Sequence, residues 1–144
     1  MKNLIIALIA TVLSVNAYGQ AETQDTLPVA IRSDMTAKFA NASAMEWTLA
    51  DSIYTGTFTL DGQRHLVEYT ASGKLRLHRY DLAKADYPAT VLALIKKDYA
   101  SHKIDDIERV ERDGVVTFEA ELDGSPDYLV VFDSTGKVLS VKKD

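Results

Sequence analysis

Two segments of the chain repeat the spacing of an amphipathic helix. In each segment, three apolar residues stand four positions apart, and a Pro lies three residues before the first of them. The apolar positions are Ile31, Met35 and Phe39 in the first segment and Val91, Ile95 and Tyr99 in the second. Pro28 and Pro88 stand where a helix can begin, because the missing N–H of proline has no partner to lose there. We predict two helices that each bury one apolar stripe.

Alternating apolar and polar residues follow each predicted helix and indicate β-strands. The apolar positions are Tyr54, Phe58 and Leu60 after the first helix and Val116, Phe118 and Leu122 after the second. Each series ends in a hairpin with a Gly-Lys turn, at residues 66–74 and 129–137. The offset between the series grows from sixty to sixty-three residues, and an extended Asp-Gly-Ser-Pro turn at residues 123–126 accounts for the difference.

The two series predict one unit used twice, a helix followed by about four antiparallel strands. The units are residues 27–82 and residues 87–144. A unit of this size can bury its sheet face only under its own helix. We therefore predict a single α+β domain over residues 20–144, with an antiparallel sheet of eight strands, continuous or broken in the middle, and two helices on one face.

The turn at Gly73 decides which side chains of the first hairpin face the helix. A three-residue loop with Gly73 at positive φ pairs Tyr69 with Leu75. It also pairs Val67 with Leu77, whereas a two-residue turn would mix apolar and charged groups on one face. The three-residue loop is therefore the preferred interpretation, and we apply it to the second hairpin as well.

This register predicts a partner surface on the sheet face that points away from the helices. Its residues are Leu66, Glu68, Arg76, His78, Leu129, Val131, Leu139 and Val141. A sheet covered on one side should alternate apolar with polar residues, and the second hairpin does not. An uncovered apolar patch is typical of a partner surface. The alternative that a tail, a neighbouring strand or the curl of the sheet covers Leu129 and Val131 stays open.

Residues 1–19 have the order of a secretory signal peptide. Lys2 gives a basic start, residues 4–15 are largely apolar, and small residues follow before Gln20. A transmembrane helix needs about 20 apolar residues, so we expect cleavage, after Ala17 or Gly19, and no stable membrane span afterwards. A retained N-terminal anchor is the alternative. The sequence has no Cys, so lipid attachment at a cleavage-site Cys is excluded. We predict a periplasmic or secreted protein.

Charge and composition exclude further classes of protein. The formal net charge is −5, and the basic residues form no cluster of the kind that nucleic-acid binding requires. Without Cys the chain has neither a disulfide framework nor a thiolate nucleophile.

No group of residues predicts catalysis or metal binding. The Ser residues lie in no nucleophile motif. In the preferred register His65 and His78 point to opposite faces, and the spacing of the His residues fits no zinc site. We interpret the acidic residues 105–108 as a solvated strand edge rather than a calcium site. Trp47 is interpreted as a core residue, with a binding platform as the alternative. We expect no enzyme activity, no cofactor and no metal.

A composite pattern occurs twice behind the predicted signal peptide. It consists of Pro-x-x-Ile/Val-x-x-x-Met/Ile-x-x-x-Phe/Tyr, an alternating strand pair, and Val-x-Tyr/Phe-x-x-x-Gly-Lys. From Leu27 to the C-terminus the chain resembles the PepSY-like, β-lactamase-inhibitor-like domains of exported bacterial proteins. The resemblance implies tandem helix-plus-sheet repeats, a periplasmic or secreted location and a sheet face that grips another protein. The inhibitor that gives the family its label carries disulfides and this chain has none, so fold analogy alone does not carry inhibition here.

The sequence thus predicts a non-enzymatic exported module with an inhibitor-like fold. We expect it to bind a protein or peptide of the cell envelope through its open sheet face. The alternative is a periplasmic carrier or sensor that holds a small ligand in the concavity of the sheet. A homodimer that buries the apolar patch also stays open.

Overall fold

The computed structural model describes residues 19–143. Within this range the elements are β1 (Gln20–Glu22), α1 (Val29–Lys38), β2 (Ser43–Ala50), β3 (Ile53–Leu60), β4 (Gln63–Thr70), β5 (Leu75–Asp81), a 3-10 helix (Lys84–Asp86), α2 (Ala89–Asp98), β6 (Lys103–Arg112), β7 (Val115–Asp123), β8 (Tyr128–Asp133) and β9 (Val138–Lys143). The predicted signal peptide lies outside the described residues, apart from Gly19. No helix among the described residues is long and apolar enough to cross a membrane.

The nine strands form one antiparallel sheet in which each strand pairs with the next along the chain. The predicted α+β fold, with an antiparallel sheet and two α-helices, is confirmed. The sheet is continuous in its middle, because β5 pairs with β6. The ninth strand, which the sequence analysis missed, is β1. Its Gln-Ala-Glu sequence has no apolar alternation, and it pairs with β2 at the edge of the sheet.

Both helices begin directly after the predicted proline and bury the predicted apolar stripe. Ile31 and Met35 of α1 and Val91 and Ile95 of α2 are at most 4% exposed. At the end of each helix, the next residue donates its N–H to the carbonyl four positions earlier, at 2.8 Å. The two helices are therefore held by burial of the stripe against the sheet, in line with the helical period of the sequence.

Two hydrophobic clusters lie between the helices and the sheet. The cluster under α1 consists of Leu27, Ile31, Met35, Phe39, Trp47, Phe58, Val67 and Tyr69. The cluster under α2 consists of Val91, Ile95, Ile107, Ala120, Leu122, Val130 and Phe132. Directly opposed residues of antiparallel strands share a face. Val67 of β4 is opposite His78 of β5, His78 is opposite Glu111 of β6, and Glu111 is opposite Val116 of β7. Both helices therefore cover the same side of the sheet, here called the helix side; the opposite side is the outer face.

A β-bulge in β5 changes the register of the first hairpin. Gly73 has φ 84°, as the three-residue loop predicts. The observed pairs are Tyr69 with Leu75, Glu68 with Leu77 and Val67 with His78. Arg76 is the extra residue, and one extra residue reverses the faces of the strand beyond it. The predicted pairing of Tyr69 with Leu75 is confirmed, but the predicted pairing of Val67 with Leu77 is wrong.

The second hairpin carries the same irregularity at Leu139 of β9. The observed pairs are Phe132 with Val138, Val131 with Ser140 and Val130 with Val141. Val141 therefore lies on the helix side with Val130, and its predicted position on the outer face is wrong. Leu129 and Val131 precede the bulge and remain on the outer face, opposite Glu121 and Glu119 of β7.

Candidate functional site

Strands β4 to β8 bring apolar and charged side chains together at the centre of the outer face. One row of opposed residues consists of Leu66, Arg79, Val110 and Thr117. The next row consists of Asp81, Glu108, Glu119 and Val131. The central outer face therefore joins strands from both hairpins into one surface of mixed chemistry.

Arg79 forms an ion cluster at this centre. Its Nε donates to Glu108 Oε1 at 2.7 Å, and its Nη2 contacts Glu108 Oε2. The same Nη2 lies 3.6 Å from Glu119 Oε2. The side chains of Arg79 and Glu108 are only 20% and 14% exposed. A two-pronged guanidinium–carboxylate contact of this kind fixes the geometry of both groups.

Leu77 and Val110 flank Arg79 and are buried although neither helix lies over them. They are 4% and 5% exposed and belong to neither of the two helix-side clusters. Both lie on the outer face, opposite Glu68 and Arg79 respectively. The outer face is therefore apolar in its floor and charged around it, which is the composition of a surface that can pack against another molecule.

Carboxylates gather around the start of β6. Ligand oxygens of Asp105, Asp106 and Glu121 lie within 4.8 Å of one another. Asp105 and Asp106 lie beyond the end of the pairing between β5 and β6, as a strand edge predicts, whereas Glu108 pairs with Asp81 inside the sheet, so its interpretation as an edge residue is wrong. Asp105 is the extra residue of a bulge. The bulge lets adjacent residues point the same way. Oxygen clusters of this kind are what hard cations prefer, so these three are the residues that could hold one.

Burial and mutual repulsion raise the pKa of several of these acids. Burial, then the charge of Glu121, raises the pKa of Asp106 to about 7. Burial also raises the pKa of Glu119, although Arg79 opposes it. Burial and the charge of Glu108 raise the pKa of Asp81. The outer face thus holds more negative charge than its own cations balance, and a positive group brought to it would be attracted.

His65 and His78 form a hydrogen-bonded pair on the helix side. His65 Nδ1 lies 2.9 Å from His78 Nε2, so the prediction that they point to opposite faces is wrong. The bulge at Arg76 is the cause, since it turns His78 toward the helix. Burial lowers the pKa of both imidazoles, and the pKa of His78 falls to about 4 with the nearby positive charges of His65 and Arg109 contributing. Tyr80 stacks on both rings.

The eight residues of the predicted partner surface fall into three groups. Those on the outer face are Leu66, Glu68, Leu129 and Val131, all partly buried. Arg76 and Leu139 are the extra residues of the two bulges and are exposed. His78 and Val141 lie on the helix side, so their predicted position is wrong.

Sequence reasoning missed the centre of the outer face, namely Leu77, Arg79 and Val110. Leu77 was expected under the helix, and the alternation that follows it gives no sign of the bulge. The available signal was chemical: β5 and β6 carry charges at positions that the order of strands places opposite each other, such as Arg79 beside Glu108. A continuous sheet together with the bulge at Arg76 would have predicted that encounter.

Comparison with known proteins identifies the fold. No family model and no curated protein matches the sequence. A BLIP-like protein from Bacteroides fragilis matches with a TM-score of 0.67 and 20% identity, over 79% of this chain and 84% of that one. The chain has a BLIP-like fold. A protein described as periplasmic from Bacteroides eggerthii matches with a TM-score of 0.68 and 15% identity, over 81% of this chain and 88% of that one.

A DUF2874 family protein from Bacteroides ovatus is a further structural neighbour. It matches with a TM-score of 0.67 and 20% identity, over 83% of this chain and 89% of that one. Identities in this range show a common fold and carry no activity across. The predicted inhibitor-like resemblance is therefore confirmed at the level of the fold.

Proposed function

We propose that the chain is a non-enzymatic exported module that binds another protein through its outer face. The observation that carries this proposal is the apolar area of that face, where Leu66, Leu129 and Val131 are only partly buried and lie on the side away from both helices. Leu77 and Val110, which are at most 5% exposed, lie beneath the charged side chains at the centre of the same face. A surface with an apolar floor and a charged surround is typical of a protein-binding site.

The charges of the outer face favour a partner that presents Lys or Arg. Glu108 and Glu119 are directly opposed, and like charges in that position repel each other. Arg79 offsets part of this repulsion. A cationic side chain of the partner would offset more of it. A second copy of the chain would bring its own acids against these, so the charges favour a foreign partner over a homodimer.

The location and ancestry of the module are part of the same proposal. The predicted signal peptide and the structural neighbour from Bacteroides eggerthii, which is described as periplasmic, support a periplasmic location. The BLIP-like neighbour supports an inhibitor-like mode of binding. A PepSY-like tandem repeat is supported by the equivalent bulges at Arg76 and Leu139, which lie at corresponding places in β5 and β9.

Site-specific photo-crosslinking in the cell of origin tests the proposal. A benzophenone side chain at Leu129 or Leu66 is expected to give a discrete adduct with another protein, and one at Ala37 or Ala93, on the exposed faces of the helices, is not. Adding Glu119→Lys should abolish the adduct while circular dichroism stays unchanged. Adducts from the helix positions alone, or the same adduct with purified protein in isolation, would overturn the proposal of a foreign partner.

A further inference from the structure

A cavity beside α1 is separate from the outer face and has a mixed lining. Its volume is about 260 Å³, and it lies between α1, the connection from β1 and the start of β2. Its apolar lining includes Met35, Phe39 and Met45, and its polar lining includes Gln24, Asp25, Arg32 and Thr36. Ligand cavities commonly combine an apolar wall with a few polar groups, and this volume suits a small ligand.

Trp47 also lines this cavity and brings a donor without an acceptor. The residue is 3% exposed, and its indole Nε1 is the one buried side-chain nitrogen or oxygen of the described residues that has no hydrogen-bond partner. An indole N–H can only donate, and a buried donor normally finds an acceptor. The interpretation of Trp47 as a core residue is confirmed, yet its polar atom is left unsatisfied by the core.

The packing of the indole ring fixes where this donor lies. A Cβ at position 56 would lie 2.6 Å from the ring atoms Cη2 and Cζ3 of Trp47. The six-membered part of the indole therefore occupies the space over Gly56, its partner on β3. Nε1 belongs to the opposite part of the ring. The absence of a Cβ at Gly56 is what leaves room for the ring in this orientation.

Gln24 offers a second weakly satisfied donor at the same cavity. Its Nε2 donates to the thioether Sδ of Met45 at 2.7 Å, and a thioether is a weak acceptor. Arg32 adds a guanidinium that forms no ion pair with any described residue. Three donors and one carboxylate, that of Asp25, thus border one small cavity with an apolar wall. Because the donors outnumber this carboxylate, the cavity suits an acceptor-rich head group attached to an apolar body.

We propose that this cavity binds a small apolar carboxylate. The carboxylate accepts hydrogen bonds from Arg32 and Gln24 and then from Trp47 Nε1, and the apolar body packs against Met35 and Phe39. Nε1 has almost no exposed surface, so the ligand reaches it by parting the weak contact between Gln24 and Met45. Both side chains are flexible, and Met adapts readily to a new neighbour.

The second half of the chain shows what the site depends on. Ile107 of β6 takes the place of Trp47, since both are buried at the same distance after the helix. Its strand partner is Ala120, where Trp47 has Gly56. Ile has no donor to offer, so the proposed site belongs to the first half alone.

Because Trp47 is the only Trp of the chain, its fluorescence reports directly on the site. Titration with octanoate, octan-1-ol and octylammonium should give a saturable change for octanoate, and at least tenfold weaker effects for the two others. Arg32→Ala should weaken octanoate binding at least tenfold. Arg64→Ala, an exposed arginine on the outer face, should leave it within twofold.

Two further variants separate the role of the indole N–H of Trp47 from that of the Met45 side chain. Trp47→Phe, followed by calorimetry, should bind octanoate at least threefold more weakly. Met45→Ala keeps the indole and removes its cover, so it should bind at least as tightly as the wild type. The proposal is overturned if octanoate produces no saturable change, if octan-1-ol matches it, or if Arg32→Ala and Arg64→Ala behave alike. If Trp47→Phe does not fold, the arginine pair still decides the outcome.

Discussion

The two halves of the molecule, residues 29–81 and 89–143, have the same order of one α-helix and four strands but bury different side chains. Under α1 the buried groups include Trp47, His65 and Tyr69, which all carry polar atoms. Under α2 every member of the buried cluster is apolar. In the second half, the partly buried acids Asp106 and Glu119 lie on the outer face instead.

One pair of contacting positions shows how polar side chains in the first half are replaced by apolar side chains in the second half. In the first half, Tyr69 donates its hydroxyl proton to Asp34 Oδ2 at 2.7 Å. The second half has Phe132 and Leu94 in the corresponding places of β8 and α2, and both pack in its cluster. A lone hydroxyl or carboxylate would be left without a partner, so the two positions differ together. The comparison teaches that one backbone frame accepts either chemistry, provided that contacting residues change as a set.

Arg79→Ala should have the largest effect, because Arg79 of β5 contacts Glu108 and Glu119, which belong to the other half. Its removal leaves two partly buried, directly opposed carboxylates. We expect the free energy of unfolding to fall by about 2–3 kcal/mol, somewhat less than for a fully buried pair. Urea unfolding monitored by circular dichroism measures this.

Arg76→Ala is the matched control for that experiment. Arg76 is the exposed bulge residue, and its Nε lies 3.9 Å from Asp113 Oδ1. Surface pairs of this kind contribute about 0.5 kcal/mol or less. Equal losses from the two variants would mean that the link between the halves does not depend on the buried ion cluster.

Gly56→Ala should come next in size. The added Cβ would lie 2.6 Å from the ring of Trp47, and overpacking of this kind costs about 1–3 kcal/mol. Combining it with Trp47→Ile recreates the Ile–Ala pair of Ile107 and Ala120. We expect the double variant to recover more than half of the loss in urea unfolding. A double variant less stable than both single variants would show that the two halves are not interchangeable at this place.

Tyr69→Phe should have a smaller effect, a loss of about 1–2 kcal/mol, because it removes a hydrogen bond to a carboxylate. Asp34→Leu combined with Tyr69→Phe copies the pair of the second half. A double-mutant cycle by urea unfolding should show that the two losses are not additive, with the double variant close to the wild type. Strict additivity would contradict the idea of a matched set.

The smallest effect is a difference in pH dependence between the halves. The folded pKa of His78 is about 4 against 6.5 ordinarily, so its contribution to stability is present above pH 6.5 and is lost as the pH falls toward 4. The folded pKa of Asp106 is about 7 against 3.8 ordinarily, so its contribution is present below pH 3.8 and is lost as the pH rises through 7. Between pH 4 and pH 6.5, the contribution of His78 to the free energy of unfolding rises with pH and that of Asp106 falls.

Two variants separate the pH dependence of stability that His78 causes from the one that Asp106 causes. Asp106→Asn should leave a stability that rises with pH, and His78→Gln one that falls with pH, each by about 1 kcal/mol over this range after allowance for solvent screening. Thermal unfolding at pH 4.5, 5.5 and 6.5 measures both. Parallel slopes in the two variants would show that these two groups do not set the pH dependence.

The helices and the antiparallel strands could be predicted because each follows from local periodicity. Ile31, Met35 and their counterparts mark a helical stripe, and Gly73 marks a loop that needs positive φ. Local pattern also sufficed for the first pair of the hairpin, Tyr69 with Leu75.

The rest depends on contacts between distant parts of the chain. The bulge at Arg76 has no local sequence signature, because a charged residue is also common at regular exposed positions of a strand. Once it was missed, Leu77 and His78 were assigned to the wrong faces, and the ion cluster of Arg79 could not be foreseen. β1 was missed for a related reason, since its polar residues gain their structure from β2.

The unbroken ladder between β5 and β6 has a consequence for any attempt to divide the molecule. Cleavage in the connection at residues 82–88 would leave two fragments that each expose a row of unpaired peptide groups where the other used to be. Bare strand edges recruit new strands. The fragments should therefore reassemble with each other when mixed, and each kept alone should pair with its own kind.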